Sequence, residues 1–158
     1  MTTSNDVKGY SFWVGGTPVE QGSKTGGKRN NGSVFLRDSN GKRLHPWRDH
    51  IAREVTVARD GTTYTGPVRV DLIFFMPRPK SHFGTGRNAG TLKPGAPFFH
   101  TVKPDIDKLE RAVLDALTMG GAYTDDARVA MVTKSKVYAH PTASPGVQIS
   151  IRSIENDD

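Results

Sequence analysis

Lys103-Pro104-Asp105-Ile106-Asp107-Lys108-Leu109-Glu110-Arg111-Ala112-Val113-Leu114-Asp115-Ala116-Leu117-Thr118 runs into Gly120-Gly121 and then into Tyr123-Thr124-Asp125-Asp126. The middle of this stretch predicts a helix over Asp107 to Thr118. Leu109, Val113 and Leu117 recur at i, i+4 and i+8, with Ala112 and Ala116 beside them. The glycine pair ends it. A carboxylate pair stands at each end of that helix. In extended chain, residues two apart point the same way with Cα atoms about 6.5 Å apart, so Asp105 and Asp107 share a face. If Asp125 or Asp126 returns beside them, three or more negative charges converge. Two such charges 4 Å apart repel by roughly 4 kcal/mol at an effective dielectric near 20, and a divalent cation relieves the strain. Oxygen-only ligands select a hard ion, Mg²⁺ or Mn²⁺. A lone Asp here would read as a helix cap. Two on one face, with a second pair downstream, read as a metal site.

Outward from the helix, the strands follow. Val68 to Phe75 is the clearest: Val68, Val70, Leu72 and Phe74 line one face, and Ile73 and Phe75 add apolar surface to the other. It predicts a central strand covered on both faces at that end. Arg128 to Tyr138 and the alternation of Val147, Ile149 and Ile151 predict two more, the last half-exposed. Tyr10 to Val14 is a short aromatic strand. Trp47, Ile51 and Val55 predict a second helix over Trp47 to Val57, with Pro46 at its start. Gly15 to Gly32 reads as a loop, Gly61 to Pro67 as a turn, and Met76 to Pro104 as a long Pro- and Gly-rich connection of the kind that carries function. The sum is an α+β fold: a small mixed sheet with two main helices packed against it. Residues 1–9 form a disordered tail, and residues 10–155 a single domain.

No apolar run approaches the roughly 18 residues of a membrane span, and the polar start lacks a signal-peptide core. With no cysteine there is neither a disulfide framework nor a thiolate metal site, and a cytoplasmic setting is expected. The net charge of +6 is unevenly spread. Positive residues dominate up to Pro104, and negative ones dominate from Asp105 onward. A basic surface beside an acidic cluster suits an enzyme that holds a polyanion and cuts it. The basic candidates are Lys24, Lys28 and Arg29 in the Gly-rich loop, Lys103 before the acidic pair, and Lys134 and Lys136 on one face of the downstream strand. Arg78, Lys80, His82, Phe83 and Arg87 add a basic, aromatic-bearing stretch. Phe83 either wedges into a bound nucleic acid or packs under its loop.

Two patterns are set aside. Gly22 to Arg29 approximates a Walker A loop but ends in Arg instead of Ser/Thr, so no nucleotide cofactor is expected. Asp105-Ile106-Asp107 opens like an EF-hand, but Glu110 and Ala116 stand where Gly and Glu belong. The histidines lack ligand spacing, and His100 alone lies near the acidic motif.

Three spaced pieces are recognisable together: Lys103 to Leu109, Val113-Leu114-Asp115-Ala116-Leu117, and Tyr123-Thr124-Asp125-Asp126-Ala127-Arg128-Val129. They resemble the RusA family of Holliday junction resolvases, whose pattern reads K-P-D-x-D-N-L-x-K, D-A-L, then D-D-x-x-V and a downstream lysine. The resemblance spans about residues 98–137 and extends loosely to Phe12 to Val19, which looks like the family's opening strand and Gly-x-Pro turn. It implies a homodimeric, Mg²⁺-dependent endonuclease that resolves four-way DNA junctions by paired nicks in recombination and repair. Its metal-binding and catalytic aspartates would be Asp105, Asp107 and Asp126, with Asp125 adjacent. Such genes are common in phages, so the resemblance also implies a bacterial host cell and a phage origin. Two positions depart from the pattern. Lys108 replaces Asn, and Arg111 replaces the functional lysine. Arginine binds phosphate bidentately but does not release a proton. Arg111 therefore either clamps the scissile phosphate or pairs with Asp107 or Asp115 at i, i+4. A non-cleaving branched-DNA-binding protein is the alternative reading.

Overall fold

The computed structural model describes residues 9–22, 24–38 and 40–154. In chain order the elements are β1 (Gly9–Gly15), β2 (Lys24–Lys28), β3 (Val34–Asp38), α1 (Gly41–Ala58), β4 (Val68–Met76), α2 (Ile106–Met119), β5 (Val129–Tyr138) and β6 (Gly146–Ser153). Four strands form the main sheet in the order β1-β6-β4-β5, while β2 and β3 form a separate hairpin. β4 runs parallel to β5 and antiparallel to β6, so the sheet is mixed. The parallel step is possible because α2 serves as the crossover between β4 and β5.

One face of this sheet makes the core. Val14, Val70, Leu72, Phe74, Val147, Ile149 and Ile151 point inward and meet Leu44, Trp47, Ile51 and Val55 of α1 and Leu109, Val113 and Leu117 of α2. Losing one such leucine to alanine typically costs about 2–5 kcal/mol. β6 lies between β1 and β4 and alternates as expected, with Val147, Ile149 and Ile151 fully buried and Gln148, Ser150 and Arg152 partly exposed on the other face. The opposite face is open. Ile73 is 39% exposed and Trp13, packed at a tilt against Phe75, is 42% exposed. β4 is thus central in the sheet but covered on one side only, because both helices pack on the same face.

Three local expectations are corrected. α1 begins six residues before Trp47, with Pro46 inside it. Leu44 explains the extra turn, since it extends the buried stripe of Trp47, Ile51 and Val55 by three positions. The Gly-rich segment is not all loop: Lys24–Lys28 pairs antiparallel with Val34–Asp38. The long connection after β4 carries two 3-10 turns, Lys80–His82 and Gly86–Asn88, and pairs with β5 through Phe99. The tail expected over 1–9 lies outside the described residues except for Gly9, which opens β1, and so does Glu155 at the expected domain end.

α1 and α2 converge at Gly120. A Cβ there would stand 2.3 Å from Val55 Cγ1 and 2.7 Å from the Ala52 carbonyl oxygen, so only glycine permits this approach. Gly121 follows at φ +80°, the left-handed turn that sends the chain toward β5.

Candidate active site

Asp105 occupies the N-cap position of α2 in extended conformation, φ −70° and ψ 142°, yet its side chain makes no capping hydrogen bond. Asp107 lies in the first helical turn, and both are exposed. The fold therefore leaves the two carboxylates unspent. The positive end of the helix dipole favours negative charge at this place.

The approach to the pair is braced from β5. Lys136 Nζ donates to the carbonyl oxygens of Val102 at 2.7 Å and Pro104 at 2.6 Å. Burial holds the Lys136 ammonium below its usual pKa, and the charge of Asp105 opposes that shift. His100 N donates to the Lys136 carbonyl at 3.0 Å. Lys136 is thus a positioning residue for the acidic motif. The signal for this role was its alternation with Val132, which places it on the inward, α2-facing side of β5. Lys134 is on the same side and pairs with Glu110 of α2.

Asp125 and Asp126 stand elsewhere. Asp125 caps a single 3-10 turn, Asp126–Arg128, accepting a hydrogen bond from Ala127 N at 2.8 Å. That amide bond, foremost, holds the Asp125 carboxyl below its usual pKa. A hydrogen bond with Asp125 pushes Asp126 up, reinforced by the charges of Asp125 and Asp115. Together with Arg48, Asp115, Thr118, Met119 and Thr124 they line a cleft of about 510 Å³. Arg48 pairs with Asp115 at 3.8 Å. Ten helical steps separate Asp105 from Asp115, about 15 Å. The chain thus gathers its second aspartate pair at the far end of α2 from the first. Among the described residues no three His, Asp or Glu side chains come close enough to share one ion. The Asp105/Asp107 donors nonetheless suit Mg²⁺, which proteins commonly hold through one or two carboxylates, with waters and substrate phosphate completing the shell.

The basic candidates divide. Arg111 is exposed and, among the described residues, forms no ion pair with Asp107 or Asp115. Lys103 is exposed and lines a cavity of about 330 Å³ with Glu20, Asn40, Arg43 and His100. Lys28 and Arg29 are exposed at the hairpin tip, Arg29 with its guanidinium 5.6 Å from the centre of the Phe35 ring. The Lys24 side chain lies outside what is described. The hairpin is rooted at the acidic motif: Gln21 N donates to the Lys108 carbonyl at 3.1 Å, and Asn40 Nδ2 to the Glu20 carbonyl. Arg78 braces its own loop, donating to the Pro97 carbonyl at 2.8 Å and stacking over Tyr138. Phe83 is half-buried and bridges to Leu92.

Residues 16–152 match the sequence profile of a family described as Endodeoxyribonuclease RusA. The chain belongs to the RusA endodeoxyribonuclease family. The match covers every element from the turn after β1 to β6, so the α+β architecture is that of a RusA protein. An uncharacterized protein of Bacillus subtilis (strain 168), YqaN, is 33% identical over 148 residues, covering 90% of this chain and 95% of its own length. Membership in this family makes the chain a DNA endonuclease by descent, with DNA as its partner. No helix among the described residues is long and apolar enough to cross a membrane.

Proposed function

We propose that this RusA-family protein is a homodimeric, Mg²⁺-dependent endonuclease that cuts four-way DNA junctions by paired, symmetric nicks. The observation that carries the reading is the Asp105/Asp107 pair, exposed at the N-terminus of α2, where Asp105 makes no capping hydrogen bond. Asp105 and Asp107 would hold the ion. An Mg²⁺ ion held by these two residues would supply Lewis acidity for activating water and would offset charge on the phosphate. Mn²⁺, with similar oxygen preference, substitutes.

Around this centre the chain's own groups position substrate. Lys136 fixes the turn that presents Asp105. Arg111, exposed on α2, reaches for the scissile phosphate with its planar fork. Lys103, Lys28 and Arg29 contact flanking phosphates, so affinity falls steeply with salt. Paired cuts call for two sites related by a two-fold axis. Within one chain about 12 Å of helix separates Asp107 from Asp115, beside which Asp126 lies. Asp126 therefore joins the Asp105/Asp107 pair from the second copy.

The test is cleavage of a labelled synthetic four-way junction beside linear duplex of the same sequence, with Mg²⁺ and with EDTA. Paired cuts confined to the junction and dependent on Mg²⁺ are expected. Tight junction binding without cutting would replace this reading with that of a branched-DNA-binding protein, and equal action on linear duplex would remove the junction.

A further inference from the structure

Phe98 and Phe99 are 64% and 60% exposed, and Val102 near them is 58% exposed. The two rings meet edge to face, with centroids 5.1 Å apart. They do not sit on slack chain. Tyr138 N donates to the Phe98 carbonyl at 2.9 Å, and His100 N to the Lys136 carbonyl at 3.0 Å, so this segment adds to the edge of β5. Lys136 then grips the Val102 and Pro104 carbonyls, immediately before Asp105. One braced stretch thus presents, in order, two bare aromatic rings, an exposed lysine at Lys103 and the carboxylate pair. Phe83, the aromatic that sequence singles out for a wedge, is half-buried in its own loop.

We propose that Phe98 and Phe99 form a wedge that stacks on bases opened at the branch point of DNA. The inference rests on the junction-endonuclease reading and adds the device by which the protein tells a junction from a duplex. Apolar side chains inserted between base steps unstack them, and aromatic rings recover part of the loss by stacking on the freed bases. Base pairs at a four-way branch point lack a continuous stacking neighbour, so opening them is easier than opening linear duplex. The flanking charge fits the same occupant. From Gly61 to Pro104 the chain has six Lys and Arg against one Asp, and Lys103 stands between the rings and the acids.

The test uses the full-length chain and four-way junctions carrying 2-aminopurine at the branch point, in EDTA so that nothing is cut. Wild type should raise the fluorescence on binding, and Phe98→Ala/Phe99→Ala should not. The variant should also lose about tenfold of its preference for junction over linear duplex, the worth of one or two stacked bases, while duplex affinity changes little. Phe98→Leu/Phe99→Leu keeps the apolar bulk and removes the rings, so it should behave like the alanine pair if stacking is what matters. An unchanged fluorescence rise in the alanine variant overturns the proposal. So does loss of dimer on sedimentation in the leucine variant, which would make the patch a subunit contact. Wild type that cuts junctions without any fluorescence rise sinks the wedge alone. Wild type that neither prefers nor cuts junctions sinks the underlying reading as well.

Discussion

The two ends of α2 carry the same side chain in opposite circumstances. At the N-terminus, Asp105 and Asp107 are exposed and, among the described residues, accept no side-chain hydrogen bond, with the helix dipole in their favour. At the other end, Asp115 pairs with Arg48, Asp125 caps a 3-10 turn, and Asp126 shares a hydrogen bond with Asp125 that raises its pKa. One end keeps its charge available for a cation. The other partly satisfies its charge internally. A count of aspartates does not separate them; what each carboxylate is already bonded to does.

The largest expected effect comes from breaking the available end. Asp105→Asn and Asp107→Asn should each lower junction cleavage by a thousandfold or more, on the order expected when a charge-stabilising group is removed, while band-shift affinity holds or rises as repulsion of phosphate is relieved. Loss of binding and folding together would make these residues structural. At the other end, Asp126→Asn should be equally severe. Asp125→Asn should cost about tenfold at most, because Asn still caps a turn.

The comparison sharpens further in mixed dimers. If Asp126 of the partner subunit completes the site begun by Asp105 and Asp107, an Asp105→Asn subunit paired with an Asp126→Asn subunit rebuilds one intact site and leaves the other doubly broken. Single nicks should then reappear on the junction, from a mixture of two inactive proteins. Continued silence would place all the ligands of each site in one chain.

A smaller effect is expected from the brace. Lys136→Met removes the donor to two carbonyls, which at about 1 kcal/mol each predicts a loss near 2 kcal/mol in a denaturant titration. Cleavage should fall with it, and junction binding much less. Equal loss of binding would return Lys136 to the set of DNA contacts.

Much of this fold was legible before any coordinates. The alternation in Val68 to Phe75 and the i, i+4, i+8 leucines of α2 are strong periodic signals, and both elements stand within a residue or two of their expected bounds. The β2–β3 hairpin was not legible, because its first strand contains Gly26 and Gly27, which carry no periodic pattern; pairing with β3 decides it. The position of Pro46 misplaced the start of α1, since Leu44 outweighs it through burial that only packing reveals. At the site, the motif named the carboxylates but not their separation. That separation follows from the crossover helix, which holds its two ends apart. Lys134 and Lys136 were likewise legible as two lysines on one face of β5, but not their partners, which lie on α2 and on the turn before it.

The smallest effect expected is a pH dependence centred on His100. Its ring is buried edge-on against Tyr138, with its Nδ1 unpartnered among the described residues, and its amide is tied to Lys136. Burial, first, and the Lys136 charge, second, depress its pKa below the ordinary value near 6.5. The unfolded chain therefore binds this proton more readily than the folded one. The stability that His100 contributes is complete above about pH 6.5 and is lost as pH falls through the depressed value. The melting temperature should drop between pH 7 and pH 5, and His100→Phe should flatten that slope while keeping the contact with Tyr138. Because Lys136 braces the acidic motif from the same strand, acidification should weaken the available end of α2 before the internally satisfied one. Hydrogen exchange that opens 98–105 first at low pH would bear this out, and uniform opening of both ends would count against it.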